Sequence, residues 1–251
     1  MLHSDQLAHA TALAMRIPAG YRPLDQAQAA SFRAALQSDA GAVAQVALAS
    51  FCEAISGIAD SRYSWATVKL YYSAFYSIKS LLMMKNYSIF YIGRSPHLYK
   101  ASAGEVPVKR SGNSHSVCFS VFLDVFSTED VLSQEIDGVN PLQWIEENRN
   151  LISYRTAPYD DPAPSPLYHI AAGRIRKHLT AYMDDNSYLY SFDKDHAMIA
   201  YPVLLLKKVA LEFNNIAPNT IININKHYID ILNRSGCFVP ELRKNLTIFD
   251  I

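Results

Sequence analysis

The sequence of 251 residues has few of the features that mark common enzyme classes. Its three cysteines, Cys52, Cys118 and Cys237, lie far apart without CxxC spacing, which indicates reduced, buried thiols instead of a zinc site or a disulfide framework. It also lacks a phosphate-binding Gly-rich loop, a G-x-S-x-G elbow and an HExxH motif, so nucleotide-binding, esterase and metalloprotease functions gain no support. We therefore expect no metal site and no cofactor.

An excess of charge of either sign is missing as well. Lys plus Arg and Asp plus Glu number 23 each, so any contact with nucleic acid or with an anionic membrane must come from a local patch. The N-terminal segment lacks a signal-peptide pattern, and the most hydrophobic later run, Met198–Leu206, is much shorter than the ~20 residues of a membrane span. The expected location is the cytoplasm, with no membrane contact.

Hydrophobic residues make up 50% of the chain, which is enough for a large core, and helical periodicity dominates. The predicted fold is mainly α, with a small β insertion near residues 87–110, where aromatic and β-branched runs alternate with Gly and Pro. Four prolines in Ala157–Pro166 mark the best internal boundary. This boundary predicts a helical domain at 1–157 and a C-terminal helical extension at 158–251. The predicted helices are 4–15, 24–37, 40–59, Trp65–Met84, Val117–Val125, 127–136, Pro141–Arg155, 167–183, 196–214 and one around Asn225–Arg234.

One cation in the helix Pro141–Arg155 is in an unusual place. Arg149 lies four residues after Ile145 and seven after Leu142, so it continues the apolar stripe of the helix. A permanent charge in that position is unfavourable unless it has a partner. The guanidinium then snorkels to solvent, pairs with a carboxylate such as Glu146, or faces a cleft or subunit interface where an anion can meet it. All three alternatives stay open.

Two stretches of the sequence resemble the motifs of one known family. The segment YYSAFYSIKSLL, Tyr71–Leu82, resembles the YYxxFHxxxxLL helix of HEPN-domain proteins. The segment RNLISY, Arg149–Tyr154, resembles their RNxxxH motif and follows on a later helix, as in the family. The resemblance covers residues 45–160 and implies an all-α bundle that is commonly a homodimer. Many members are metal-independent ribonucleases of toxin–antitoxin, abortive-infection or CRISPR-associated defence systems. The segment Ala200–Phe213 is faintly similar to YaaC-like proteins, from which no function is carried over.

The HEPN resemblance implies a role for each residue of the motif. Arg149 would stabilise the charged phosphate in the transition state, Asn150 would orient the motif by hydrogen bonding, and position 154 would hold the general acid/base. That position is Tyr154 instead of His, and a phenol with a pKa of about 10 is a poorer base at neutral pH than imidazole. Arg149 and Tyr154 also point about 140° apart on a regular helix, so a shared cleft requires a dimer or a bent helix.

The resemblance implies two functions. The first is an HEPN-like, RNA-directed protein of a bacterial defence or toxin–antitoxin system that acts as a metal-independent endoribonuclease. The alternative is a catalytically inactive HEPN-like binding or scaffold subunit that docks a protein partner such as an antitoxin. In both, the helix Trp65–Met84 is the scaffold against which the Arg149 helix packs, and the chain forms a homodimer.

Basic clusters outside the motif either hold RNA phosphate or lie on a solvated surface. Lys109, Arg110 and His115 belong to a turn-rich loop with cationic and hydrogen-bonding groups, and Arg155 follows the motif directly. We assign these four residues to RNA binding. A second cluster follows the proline-rich segment and could contact RNA or an acidic partner. Its residues are His169, Arg174, Arg176, Lys177 and His178.

Overall fold

The computed structural model describes residues 2–18, 20–154, 166–218 and 221–251. Helix accounts for 61% and strand for 10%, which confirms a mainly α fold with a small β insertion. The α-helices of the described residues are α1 (His3–Ala14), α2 (Gln26–Ala59), α3 (Tyr63–Met84), α4 (Ser114–Val125), α5 (Pro141–Tyr154), α6 (Ile175–Asp184), α7 (Ala197–Ile216), α8 (Lys226–Arg234) and α9 (Glu241–Asn245). The strands are β1 (Arg16–Ile17), β2 (Gly20–Tyr21), β3 (Tyr87–Ile92), β4 (Ser95–Lys100), β5 (Val108–Lys109), β6 (Ile222–Asn223) and β7 (Phe249–Asp250), and short 3-10 turns lie at Asp130–Leu132 and Pro166–Tyr168.

The chain forms two compact units. Unit 1 consists of Met1–Val43 and Ile78–Ser127, and unit 2 consists of Ala44–Ser77 and Thr128–Ile251. Helices α2 and α3 therefore contribute residues to both units. The boundary predicted from the prolines, between residues 157 and 158, lies outside the described residues, so the division into 1–157 and 158–251 stays a prediction.

Unit 1 contains the β insertion. Strands β3, β4 and β5 form one antiparallel sheet in that order, joined between β3 and β4 by a two-residue turn at Gly93 and Arg94. Gly93 has a φ of +61°, a left-handed conformation that glycine adopts at no steric cost. The inner side of the sheet packs its aromatic residues together, with the ring centres of Phe90 and Tyr99 6.1 Å apart and those of Phe32 and Tyr99 5.4 Å apart. These rings form the core of unit 1.

Helix α1 is held at its start by a buried carboxylate from α2. Its N-cap residue, Leu2, provides no side-chain acceptor for the first-turn amides. Instead, the Ser4 backbone N–H and Ser4 Oγ both donate to Asp39 Oδ2, at 2.6 and 2.7 Å, and all of these groups are buried. Asp39 therefore does for α1 what a capping residue usually does from within the same helix.

Replacing Asp39 with alanine is expected to lower the free energy of unfolding by about 2 kcal/mol, because two buried donors on Ser4 lose their acceptor. Urea denaturation measures the change. Asp124→Ala is the matched control, since the side chain of Asp124 is exposed on α4 and its loss should change stability by less than about 0.5 kcal/mol. Equal stability of the two variants would contradict the role of Asp39.

Helix α2 runs without a break from Gln26 to Ala59, so the predicted interruption between residues 37 and 40 is wrong. By length and composition, it is the one helix of the described residues that could cross a membrane. The window that meets this test is 72% buried inside the protein, as in the core helix of a soluble protein, which passes the same test. The test is therefore weak evidence for a membrane span.

Unit 2 is built around α7. Every residue from Ala197 to Leu206 is buried, and the helix continues through Pro202, so the first half of α7 is buried on all sides. The Tyr201 hydroxyl donates to the Val131 carbonyl at 3.0 Å, and Lys207 Nζ donates to the carbonyls of Met183 and Asp185 at 2.9 Å. These bonds tie α7 to the segments before it and place α6 and α7 in contact.

Candidate functional site

Helix α5 presents the motif residues from a well-defined start. Pro141 occupies the first helical position, where its missing N–H is not needed, and Asn140 Oδ1 accepts the Leu142 N–H at 2.9 Å. Leu142 and Ile145 are buried on the face that the sequence predicts to be apolar. The next position along this stripe is Arg149, which is half-buried.

Arg149 contacts the aromatic helix α3. Its guanidinium carbon lies 4.4 Å from the ring centre of Tyr71, which is fully buried. The arginine also forms a hydrogen bond with the tyrosine side chain. A cation over an aromatic face at a half-buried position is worth about 1–2 kcal/mol. The partner shown for Arg149 is thus an aromatic ring, which was not among the three alternatives that the sequence left open.

The environment of Tyr71 keeps its hydroxyl protonated. Burial is the largest influence and raises the pKa of Tyr71 to about 12, against the lowering effect of the hydrogen bond and positive charge of Arg149. Glu146 and Tyr72 raise the pKa further. At neutral pH the ring is therefore an uncharged platform for the guanidinium and not a general base.

The raised pKa of Tyr71 predicts an alkaline loss of stability. The unfolded chain releases this proton at a pH of about 10, before the folded chain does, so the contribution of Tyr71 is complete below pH ~10 and falls as the pH rises toward the folded value. We expect Tyr71 to add up to about 1.4 kcal/mol per pH unit to the alkaline slope, so the slope should be smaller by that amount in Tyr71→Phe. Part of the slope should remain in the variant, because burial also raises the pKa values of Tyr99, Cys52 and Cys118 to about 12. Urea denaturation at pH 9 and 11 measures the difference, and equal losses in both proteins would contradict it.

Asn150 faces a different surface from Arg149. It lines a groove of about 420 Å³ with Asp137, Trp144, Glu147 and Leu151, and Arg149 is not among the lining residues. Successive residues of a helix point about 100° apart, which accounts for the separation. One protomer therefore does not bring the side chains of Arg149 and Asn150 into the same groove. The side chain of Tyr154 and all of Arg155 lie outside the part of the chain that the structure describes.

The remaining predicted binding residues belong to unit 1, whereas the α5 motif belongs to unit 2. Lys109 is exposed on β5, and Arg110 is half-buried, with its backbone N–H donating to the Pro96 carbonyl at 2.9 Å. The backbone N–H of His115, in the first turn of α4, donates to Asn113 Oδ1 at 2.9 Å. Asn113 is the N-cap of α4, so this loop has a structural role in starting the helix.

Tyr71 is the functional candidate whose contact the residue pattern did not identify. The available signal was the Tyr-Tyr pair on the helix expected to pack against α5.

Among the residues that the structure describes, no group of three or more His, Cys, Asp or Glu side chains is arranged to hold a metal ion. Comparison with protein-family models, with curated proteins and with solved structures gives no match for this chain.

Proposed function

We propose that this chain is an HEPN-like, RNA-directed protein of a bacterial defence or toxin–antitoxin system that acts in the cytoplasm. The observation that carries the proposal is the contact between Arg149 and Tyr71. It joins RNLISY to YYSAFYSIKSLL, the two stretches on which the resemblance rests, and both contacting residues belong to unit 2. An arginine of α5 that did not contact the aromatic helix α3 would not support the proposal in this way.

In its catalytic form the protein is a metal-independent endoribonuclease. The planar guanidinium of Arg149 can bind two phosphate oxygens and offset the negative charge that develops in the transition state. The Tyr71 ring holds the guanidinium in one plane before the substrate arrives, which is the preorganisation such stabilisation requires. Asn150 orients the motif, and Tyr154 occupies the acid/base position.

The alternative function is a catalytically inactive binding or scaffold subunit that docks a protein partner. Two observations favour it. A tyrosine stands at position 154 in place of histidine, and Asn150 lines a groove that does not include Arg149. In this form Arg149 holds α5 on α3, and the surfaces around it recognise RNA or a partner such as an antitoxin without cutting RNA.

RNA cleavage by the purified protein separates these functions. The wild type and Arg149→Ala are incubated in EDTA with total RNA and with a defined tRNA, after circular dichroism has shown that both are folded. Cleavage that is lost in the variant supports the enzyme. RNA binding without cleavage supports the binding subunit, as does cleavage gained by Tyr154→His. If none of these proteins binds or cleaves RNA, that result contradicts the RNA-directed function.

The proposed cleft requires two copies of the chain, because Arg149 and Asn150 face different surfaces of one protomer. Leu151 lies next to Asn150 on α5 and is 47% exposed, so an apolar contact between copies can form there. We expect sedimentation equilibrium at micromolar concentration to show a dimer for the wild type and a monomer for Leu151→Asp. Leu189→Asp, at a residue that is 66% exposed, is the control and should stay dimeric. A monomeric wild type would contradict the shared cleft.

A further inference from the structure

Unit 2 contains a basic groove that the α5 motif does not use. This α6 groove has a volume of about 720 Å³ and lies where the start of α6 faces the turn that follows α8. Arg174, Arg176 and Lys177 line one side, and Ser235 and Gly236 line the other. The groove is thus large enough for a phosphate group and part of the molecule that carries it.

The described lining of the α6 groove carries cations without carboxylates. The lining residues that the structure describes include no Asp or Glu, and the side chains of Arg174, Arg176 and Lys177 are exposed and form no ion pair within the described chain. Elsewhere in unit 2, Lys208 pairs with Glu129 at 2.8 Å and Lys244 pairs with Asp184 at 3.1 Å. The groove therefore concentrates positive charge in a chain whose net charge is zero.

The backbone adds donors to this charge. Helix α6 has ten residues, and its N-cap, Arg174, provides no side-chain acceptor for the first-turn amides. These amides belong to residues that line the groove, where the positive end of the helix dipole adds to the charge of the side chains. Two acids lie near the lining residues. Glu241 accepts a hydrogen bond from the Thr180 hydroxyl at 3.4 Å, and the charge of Asp60, like that of Arg176, acts on the Cys237 thiol. The described lining itself carries three cations and no carboxylate.

We propose that the α6 groove binds phosphate groups through Arg174, Arg176 and Lys177. Phosphate fits better than a carboxylate, because a guanidinium can bind two of its oxygens while other oxygens meet lysine and backbone N–H donors. The phosphate comes from an RNA backbone or from a small phosphorylated ligand. The RNA source rests on the proposed function, whereas phosphate binding itself does not depend on Arg149.

The test measures binding of a fluorescein-labelled single-stranded RNA oligonucleotide by anisotropy over a series of salt concentrations. The full-length wild type is compared with the triple variant Arg174→Gln, Arg176→Gln and Lys177→Gln. A control triple variant removes the same charge at exposed cations elsewhere, and it carries Arg94→Gln, Lys194→Gln and Lys226→Gln. The groove variant is expected to bind at least about tenfold more weakly at low salt, with a salt slope smaller by about 2. The control should bind as the wild type does.

Pyrophosphate, measured by isothermal titration calorimetry, distinguishes the sources of phosphate. If the wild type binds pyrophosphate and the groove variant does not, the result supports phosphate binding in the groove. This holds even if RNA does not bind and the proposed function fails. If Arg149→Gln loses RNA binding but the groove variant keeps it, the proposal that the groove binds phosphate is overturned, and the proposed function is left intact. Equal loss in the groove and control variants also overturns it, as does the absence of binding to both probes. Poly-glutamate can also be tested as a competitor of the labelled RNA. If it competes as strongly as unlabelled RNA of equal charge, the groove binds an acidic protein instead of phosphate.

Discussion

Under the proposed endoribonuclease function, replacing Arg149 with alanine is expected to lower the rate of RNA cleavage by about 10²–10³-fold, the loss that follows removal of one group that stabilises a transition-state charge. The guanidinium is the one cationic side chain of the motif that the structure describes, and the ring of Tyr71 fixes its position 4.4 Å away. Without it, no side chain of the described motif offsets the extra negative charge on the phosphate. Single-turnover cleavage of a labelled tRNA in EDTA measures the rate.

Two controls separate this loss from unfolding. Arg149→Lys keeps the charge but loses the planar donor arrangement, so its rate should lie between those of the wild type and Arg149→Ala. Gln143→Ala alters an exposed position on the same helix and should leave the rate unchanged. Rates are divided by the folded fraction, because removing the contact with Tyr71 also destabilises the protein by about 1–2 kcal/mol. Full cleavage by a folded Arg149→Ala protein would remove Arg149 from the chemistry.

Replacing Tyr71 with alanine is expected to lower the free energy of unfolding by about 3–5 kcal/mol. Tyr71 is among the largest fully buried side chains, so its removal leaves a cavity between α3 and α5 and takes the aromatic partner from Arg149. Because single domains are stable by only about 5–15 kcal/mol, this variant should be close to unfolding at physiological temperature. Urea denaturation measures the change.

The neighbouring residue is the matched control for this variant. Tyr72 has the same side chain on the same helix but is half-buried, so Tyr72→Ala should cost clearly less than Tyr71→Ala. A double-mutant cycle between Tyr71→Phe and Arg149→Ala then measures the energy of the contact apart from the cavity. Equal losses of unfolding free energy in Tyr71→Ala and Tyr72→Ala would contradict the larger contribution expected from the fully buried Tyr71.

Much of the helical architecture could be predicted because it follows from local patterns. The helix predicted at Trp65–Met84 begins at Tyr63 and ends at Met84, and the insertion predicted near 87–110 contains β3, β4 and β5. The helix predicted at 127–136 is wrong, since that segment contains only the 3-10 turn Asp130–Leu132. The helix predicted at 167–183 begins only at Ile175, after Gly173 adopts a φ of +73° that ends the preceding turn.

Side-chain placement on α3 was less predictable, because the helix is surrounded on more than one side. Trp65 has a large aromatic side chain but is 55% exposed, whereas Ser73 has a polar side chain but is fully buried. A stripe predicted from hydrophobicity alone places a large aromatic residue inside and a hydroxyl outside. The direction in which the neighbouring helices approach decides which prediction holds, and periodicity carries no information about that direction.

The candidate site shows the same division between local and tertiary information. The spacing of Leu142, Ile145 and Arg149 predicts that the arginine enters an apolar environment, and it is half-buried on that face. The identity of its partner could not be predicted, because Tyr71 lies on another helix, 78 residues earlier in the chain. Asp39 is a similar case, since nothing near Asp39 in the sequence indicates that it caps α1 through Ser4.

The affinity of the purified chain for a labelled tRNA, compared between the wild type and Arg149→Gln, tests the central claim most directly. This measurement tests the first of the two proposed functions, because its site requires that RNA meet Arg149, whereas in the inactive form Arg149 holds α5 on α3. The proposed function predicts that the wild type binds tRNA and that Arg149→Gln, folded to the same extent, binds at least about tenfold more weakly. Equal affinity of the two proteins, or no binding by the wild type, would contradict the claim that this is an RNA-directed protein with Arg149 at its site.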